Sequence, residues 1–175
     1  MSKQELPPEP VRTFLLDHDY GKWKEYVNFL VDNFPQVQNG RVQYLIEGGA
    51  AIHLHMPNTR RDLFMKPHDI DVVCRSKELK NQFWPPITFD LKTVEEWFEF
   101  RSIKHTDERA NILLSSSTSL VCGSREVLVL NKAALSLSKK LPFLGFRQRL
   151  KDTMDIKALE VPDEEIRTLR QKLNL

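Results

Sequence analysis

The chain has 175 residues, of which 41% are hydrophobic, and its formal net charge is +2. This length fits one domain, or one domain with a small helical appendage. The nearly neutral charge excludes a global basic field, so nucleic-acid binding would need a local basic patch. Two cysteines, Cys74 and Cys122, are too few for a disulfide framework and indicate reduced core thiols in a cytoplasmic protein. We expect no signal peptide and no membrane span, because no apolar run approaches the roughly 20 residues that cross a bilayer.

The chain divides into three predicted parts. An N-terminal arm and helix occupy 1–20, an α/β core occupies 21–130, and a helical segment packs on the core over 131–175. The helix of the first part is predicted at about 10–18, and a clearer amphipathic helix begins the core at Trp23 and ends near Phe34. Predicted strands follow at 42–46, 69–74 and 87–91, with a short helix over 50–55 and a helical turn at 77–82.

The pattern is less regular after residue 93. Thr93 is expected to cap a short helix, with Glu96 in the capping-box position. Ile103 and the run 110–114 are predicted as β-strands, and the apolar run 127–130 as another, which would extend the sheet with antiparallel strands. Helices are predicted over 131–140, about 145–160 and 163–173.

Two stretches of the core define the candidate site. Gly48-Gly49 ends a strand and opens a helix, and such a turn lets backbone N–H groups approach an anion closely. Asp69 and Asp71 stand two residues apart in the next strand, so their side chains project from one face. Paired carboxylates repel each other unless a cation lies between them, and Mg²⁺ binds such carboxylates together with substrate phosphates. The two stretches describe a nucleoside-triphosphate site, to which the loop between them would add basic residues: Arg60, Arg61 and Lys66.

These residues resemble the nucleotidyltransferase superfamily of the polymerase-beta type. The resemblance covers about 44–159 and is carried by the segment LIEGGAAIHLH at 45–55, by Arg60-Arg61, and by KPHDIDVV at 66–73. It is strongest to the small branch around the abortive-infection toxin nucleotidyltransferases. Lys132, which begins a helix, and the later Lys-Asp-x-x-Asp at 151–155 are similar to that branch.

The resemblance implies an α+β fold with a mixed sheet flanked by helices. It implies transfer of a nucleoside monophosphate from an NTP to an acceptor hydroxyl, with the triphosphate at Gly48 and Gly49. Asp69 and Asp71 would bind Mg²⁺ or Mn²⁺. The acceptor is left open between an RNA end such as that of tRNA, a protein hydroxyl, and a small molecule such as an aminoglycoside or lincosamide. A toxin role would add an antitoxin as partner.

A third carboxylate would deprotonate the acceptor hydroxyl or complete a second metal site. Asp90 is our candidate because it lies on the polar face of its predicted strand, although it follows Asp71 closely and Pro85-Pro86 interrupts the approach. Asp107 and Glu99 are the alternatives, and a further one is that the third acid is missing, which would remove catalysis and leave nucleotide binding.

Lys132 is a further candidate for nucleotide binding, in contact with Asp155 at the border of the site. Two other functions stay open. The chain could be an inactive nucleotide-binding or partner-binding protein of the same fold, or an interaction protein in which the acidic pair is accidental.

Overall fold

The computed structural model describes residues 22–56, 67, 69–82, 89–141 and 150–175. Several predictions fall outside these ranges. They are the N-terminal helix at 10–18, the basic residues Arg60, Arg61 and Lys66, the first residues of the strand at 87–91, and the start of the helix at 145–160.

The described chain contains both helices and strands. In order they are α1 (Trp23–Asn33), β1 (Val37–Gln38), β2 (Arg41–Val42), β3 (Tyr44–Glu47), α2 (Gly48–His55), β4 (Ile70–Cys74), α3 (Lys77–Gln82), β5 (Phe89–Thr93), α4 (Val94–Glu99), α5 (Asp107–Ser115), β6 (Ser117–Cys122), β7 (Arg125–Leu130), α6 (Lys132–Lys140), α7 (Leu150–Leu159) and α8 (Asp163–Lys172).

Five strands form one mixed sheet in the order β5-β4-β3-β7-β6. β3 pairs antiparallel with β4 and parallel with β7, β5 is parallel to β4, and β6 is antiparallel to β7. Every residue of the central strand β3 is buried, as expected for a strand covered on both faces. The predicted α+β class, with a mixed sheet and several helices, is confirmed at this level. The division into three parts stays a prediction.

The structure contradicts the strand prediction at 103 and 110–114. Residue 103 lies in no strand, and 110–114 belong to helix α5. The Thr106 side chain caps this helix by accepting a hydrogen bond from the backbone N–H of Arg109, and the acids Asp107 and Glu108 in the first turn favour a helix start. The apolar run alone is too short to distinguish a helix from a strand, so the cap and the acids decide its conformation.

Other local predictions are confirmed. Thr93 and Glu96 form the reciprocal capping box at the start of α4, and the helix predicted at 131–140 is α6, which ends at Lys140. The run 127–130 lies in β7 as predicted, but β7 joins the sheet by parallel pairing with β3, and only its pairing with β6 is antiparallel. Both cysteines are buried free thiols. Within the described ranges no helix has the length and apolar character needed to cross a membrane.

Candidate metal centre

The register of three neighbouring strands aligns acidic residues across the sheet. Asp71 on β4 pairs with Glu47 on β3 and with Asp90 on β5. Residues paired in this way project from the same face of a sheet. Asp69 precedes the first residue of β4 and is two positions from Asp71, so it joins the same edge. Four carboxylates therefore meet where β3 ends and where β4 and β5 begin.

Three of these carboxylates are close enough to share a cation. Asp69, Asp71 and Asp90 each offer one oxygen, and the three oxygens lie within 4.8 Å of one another. Hard divalent cations take such oxygens at about 2.0–2.6 Å. The Glu47 carboxylate has a different partner, because its Oε2 accepts a hydrogen bond of 2.8 Å from Nε1 of the buried Trp97. The three aspartates could therefore hold a metal ion.

Gly48 is the residue that makes room for this cluster. Its φ is +62°, a conformation that side chains rarely adopt, and a Cβ atom built on it would overlap the carboxylate of Asp71. The adjacent Gly49 has no such constraint, because the nearest atom to a Cβ placed there is Cβ of Pro67 at 4.0 Å. Both glycines begin α2 and line the same cleft as the aspartates.

Asp71 is the carboxylate whose ionisation the site disturbs most. Burial and the negative charge of Glu47 raise its pKa to about 7. The charges of Asp69 and Asp90 add to this rise, and the ammonium of Lys92 opposes it. A carboxylate that is costly to ionise is stabilised by a bound cation, so this electrostatic imbalance favours metal binding.

Lys92 is the side-chain cation nearest to the acids among the described residues. It lies two residues after Asp90 on β5 and therefore on the same face. Its Nζ is 2.7 Å from Oδ2 of Asp90 and 3.5 Å from Oδ1 of Asp71. Burial alone would lower the pKa of the Lys92 ammonium, but the surrounding acids, led by Glu47 and Asp71, outweigh burial and raise it.

Arg101 lines the cleft together with the acids. Its guanidinium carbon lies 3.8 Å from the ring centroid of Trp97, and Nη1 donates to the Trp97 carbonyl oxygen at 2.8 Å. Burial lowers the pKa of this guanidinium to about 10, while the charges of Glu47 and Asp71 counteract that fall. The side chain therefore stays a cation, fixed against an aromatic ring.

The opposite wall of the cleft comes from the C-terminal helices. Lys139 on α6 has its Nζ 3.0 Å from Oδ1 of Asp152 and 3.6 Å from Oδ2 of Asp155, both on α7. The predicted partner of Asp155 was Lys132, and this is corrected, because Lys139 makes that contact. Lys132 is the exposed first residue of α6, about 10 Å along the helix axis from Lys139. It is absent from the cleft lining within the described chain.

The cleft has a volume of about 420 Å³. Its described lining consists of Glu47, Gly48, Gly49, Pro67, Asp69, Asp71, Asp90, Lys92, Arg101, Ser138, Lys139 and Lys151. Of the candidates for a third acid, Asp90 joins the cleft. Asp107 begins α5 beside a different cavity, which it shares with Arg41 and Arg75, and Glu99 is exposed at the end of α4.

Sequence reasoning missed four of these residues as site components, namely Glu47, Lys92, Arg101 and Lys139. Lys92 could have been found, because i and i+2 share a face of a strand and Asp90 was already a candidate. Arg101 and Lys139 reach the cleft through helix packing, for which no local pattern exists.

The chain is thus an α+β protein in which three aspartates on adjacent strands could hold a metal ion beside a helix N-terminus. Comparison with models of protein families, with curated proteins and with solved structures gives no match.

Proposed function

We propose that the protein is a metal-dependent nucleotidyltransferase that transfers a nucleoside monophosphate from an NTP to an acceptor hydroxyl. The observation that carries the proposal is the convergence of Asp69, Asp71 and Asp90 in one cleft with the glycine start of α2. Carboxylate oxygens suit Mg²⁺ or Mn²⁺, and backbone N–H groups at a helix N-terminus suit a triphosphate.

The residues of the cleft would contact the cation and the phosphates of an NTP. Asp69 and Asp71 would hold the divalent cation together with phosphate oxygens, and Gly48 and Gly49 would leave space for the phosphates against the backbone. Lys139 and Lys151 line the same cleft, and the acids Asp152 and Asp155 balance their charge. A bound cation would stabilise the charge that develops on the phosphoryl oxygens during transfer.

Asp90 is the residue suited to the acceptor. It is the more exposed partner of the Asp71–Asp90 pair on the edge strand β5. In transfer, the acceptor oxygen forms a bond to the α-phosphorus, the bond to pyrophosphate breaks, and the hydroxyl proton passes to Asp90. Holding the hydroxyl in line with the leaving pyrophosphate contributes much of the acceleration.

A second candidate is a protein of the same fold that binds a nucleotide or a partner without transfer. One observation favours it: Oδ2 of Asp90 already contacts Nζ of Lys92 at 2.7 Å, so this oxygen has a partner before any acceptor arrives.

The test is incubation of the full chain with each labelled NTP and Mg²⁺ or Mn²⁺. Total RNA, protein, and a panel of aminoglycosides and lincosamides are offered as acceptors. Labelling of one acceptor class is expected, and the double variant Asp69→Ala, Asp71→Ala should lose it. Asp107→Ala is the matched control, because this acid borders a different cavity.

Equal labelling by the double variant and the wild type would refute the proposal. Metal-dependent NTP binding in calorimetry without labelling of any acceptor would support the second candidate. Absence of any metal-dependent NTP binding would leave the interaction protein as the surviving hypothesis.

A further inference from the structure

Lys92 is placed as a bridge between two of the three candidate metal ligands. Its Nζ lies 2.7 Å from Asp90 and 3.5 Å from Asp71, and its side chain is 18% exposed. β4 and β5 are parallel and Asp71 pairs with Asp90, so the two carboxylates and the ammonium share one face. A positive charge already occupies the space between these two carboxylates.

Without a bound nucleotide, the charge balance of the acidic end favours one divalent ion. The described residues there carry four carboxylates, on Glu47, Asp69, Asp71 and Asp90, against two cations, on Lys92 and Arg101. Two net negative charges remain, which one divalent cation neutralises and two would reverse. Reversal would place net positive charge in a partly buried cleft, where repulsion is weakly screened.

The opposite wall does not alter this balance. Lys139 and Lys151 line the cleft from α6 and α7, and Asp152 and Asp155 are the buried acids beside Lys139. Two lysines face two aspartates, so the described residues of this wall contribute no net charge.

We propose that Lys92 is a built-in second cation, so that the site binds one divalent ion on Asp69 and Asp71 while Lys92 neutralises Asp90. This deepens the proposed function and rests on it, because it assigns the metal stoichiometry of the same cleft. Two-ion sites hold the attacking and leaving oxygens with two metals. Here the ammonium of Lys92 takes the position between Asp71 and Asp90.

The competing arrangement is a single ion shared by all three aspartates, with Lys92 displaced when the ion binds. The two arrangements differ in the contribution that Asp90 makes to metal affinity. They differ also in the effect of removing the lysine charge, because only a built-in cation leaves a vacant position for a second ion.

Mn²⁺ is the probe, followed on the full chain by calorimetry and by the loss of the free-ion paramagnetic resonance signal. One ion per chain is expected for the wild type. A second ion would leave +2 in the wild type but only +1 in Lys92→Met, so Lys92→Met should bind a second, weaker ion at the position that the ammonium vacates. Lys92→Arg keeps the charge and should bind one. Lys140→Met is the matched control, since Lys140 also pairs with an aspartate, at 3.3 Å, but on the surface between α6 and α8, and it should bind one.

Asp variants give the second readout. Asp71→Asn should weaken Mn²⁺ binding by about tenfold or more, since a direct ligand is lost, whereas the double variant Asp90→Asn, Lys92→Met, which keeps the net charge, should change it by less than about threefold. If Lys92→Met alone fails to fold by circular dichroism, the double variant decides between the two arrangements.

The outcomes separate the built-in cation from the proposed function. One ion in both the wild type and Lys92→Met, or an equal loss of Mn²⁺ affinity in Asp71→Asn and in the double variant, would overturn the built-in cation and leave the metal centre standing. Two ions in the wild type would also overturn it. No Mn²⁺ binding by the wild type would overturn the metal centre and the proposed function together.

Discussion

Two adjacent glycines should respond in opposite ways to the same substitution. Gly48 and Gly49 both begin α2 and line the cleft, yet only Gly48 has a positive φ, at +62°, and only there would a Cβ overlap the Asp71 carboxylate. Gly48→Ala and Gly49→Ala therefore form a matched pair that isolates the constraint on one backbone position.

The magnitude follows from two costs. A left-handed conformation costs a residue with a side chain roughly 1–2 kcal/mol. The overlap adds to this, because Asp71 must rotate away and loses its place beside Lys92. We expect Gly48→Ala to lower the free energy of unfolding by about 2–3 kcal/mol. Gly49→Ala should leave it unchanged or raise it by about 0.5 kcal/mol, because alanine favours the helix more than glycine does.

Urea unfolding followed by far-ultraviolet circular dichroism measures both variants. Mn²⁺ titration adds a second comparison, because rotation of Asp71 should weaken binding in Gly48→Ala alone. Equal stability of the two variants would refute the assigned backbone constraint. A destabilised Gly48→Ala with unchanged Mn²⁺ affinity would show instead that the site does not depend on the position of Asp71.

Two further predictions concern buried charges. Because burial raises the pKa of Asp71 from 3.8 to about 7, the unfolded chain releases this proton first as pH rises, and stability falls between about pH 4 and 7 by up to about 1.4 kcal/mol per pH unit. Asp71→Asn should gain stability relative to the wild type across that window in urea unfolding with chelator present, and a pH-independent difference would contradict the shift. Lys139→Met removes the cation that contacts two buried aspartates of α7 and should cost about 3 kcal/mol. Lys140→Met, with its exposed pair, should cost less than about 1 kcal/mol in the same assay, and equal losses would exclude a buried role for Lys139.

The sequence was sufficient wherever the determining interaction is local. The capping box at Thr93 and Glu96 and the alternation that places Asp69 and Asp71 on one face are both set by residues within four positions of one another. The helix at 107–115 was missed although its cap is local as well. Its short apolar run is compatible with a helix or a strand, and the acids that precede this run favour the start of a helix.

The residues of the cleft that were not predicted are placed there by contacts between elements distant in sequence. Glu47 belongs to the acidic row because β3 and β4 pair in one particular register, and a shift of one residue would turn it to the opposite face. Arg101 depends on the Trp97 ring, over which its guanidinium lies. Lys139 contacts Asp155 because it lies about two helical turns further along α6 than Lys132. Such choices are made by packing between elements distant in sequence. A motif search therefore finds the acids that could bind a metal but misses the cations that lie beside them.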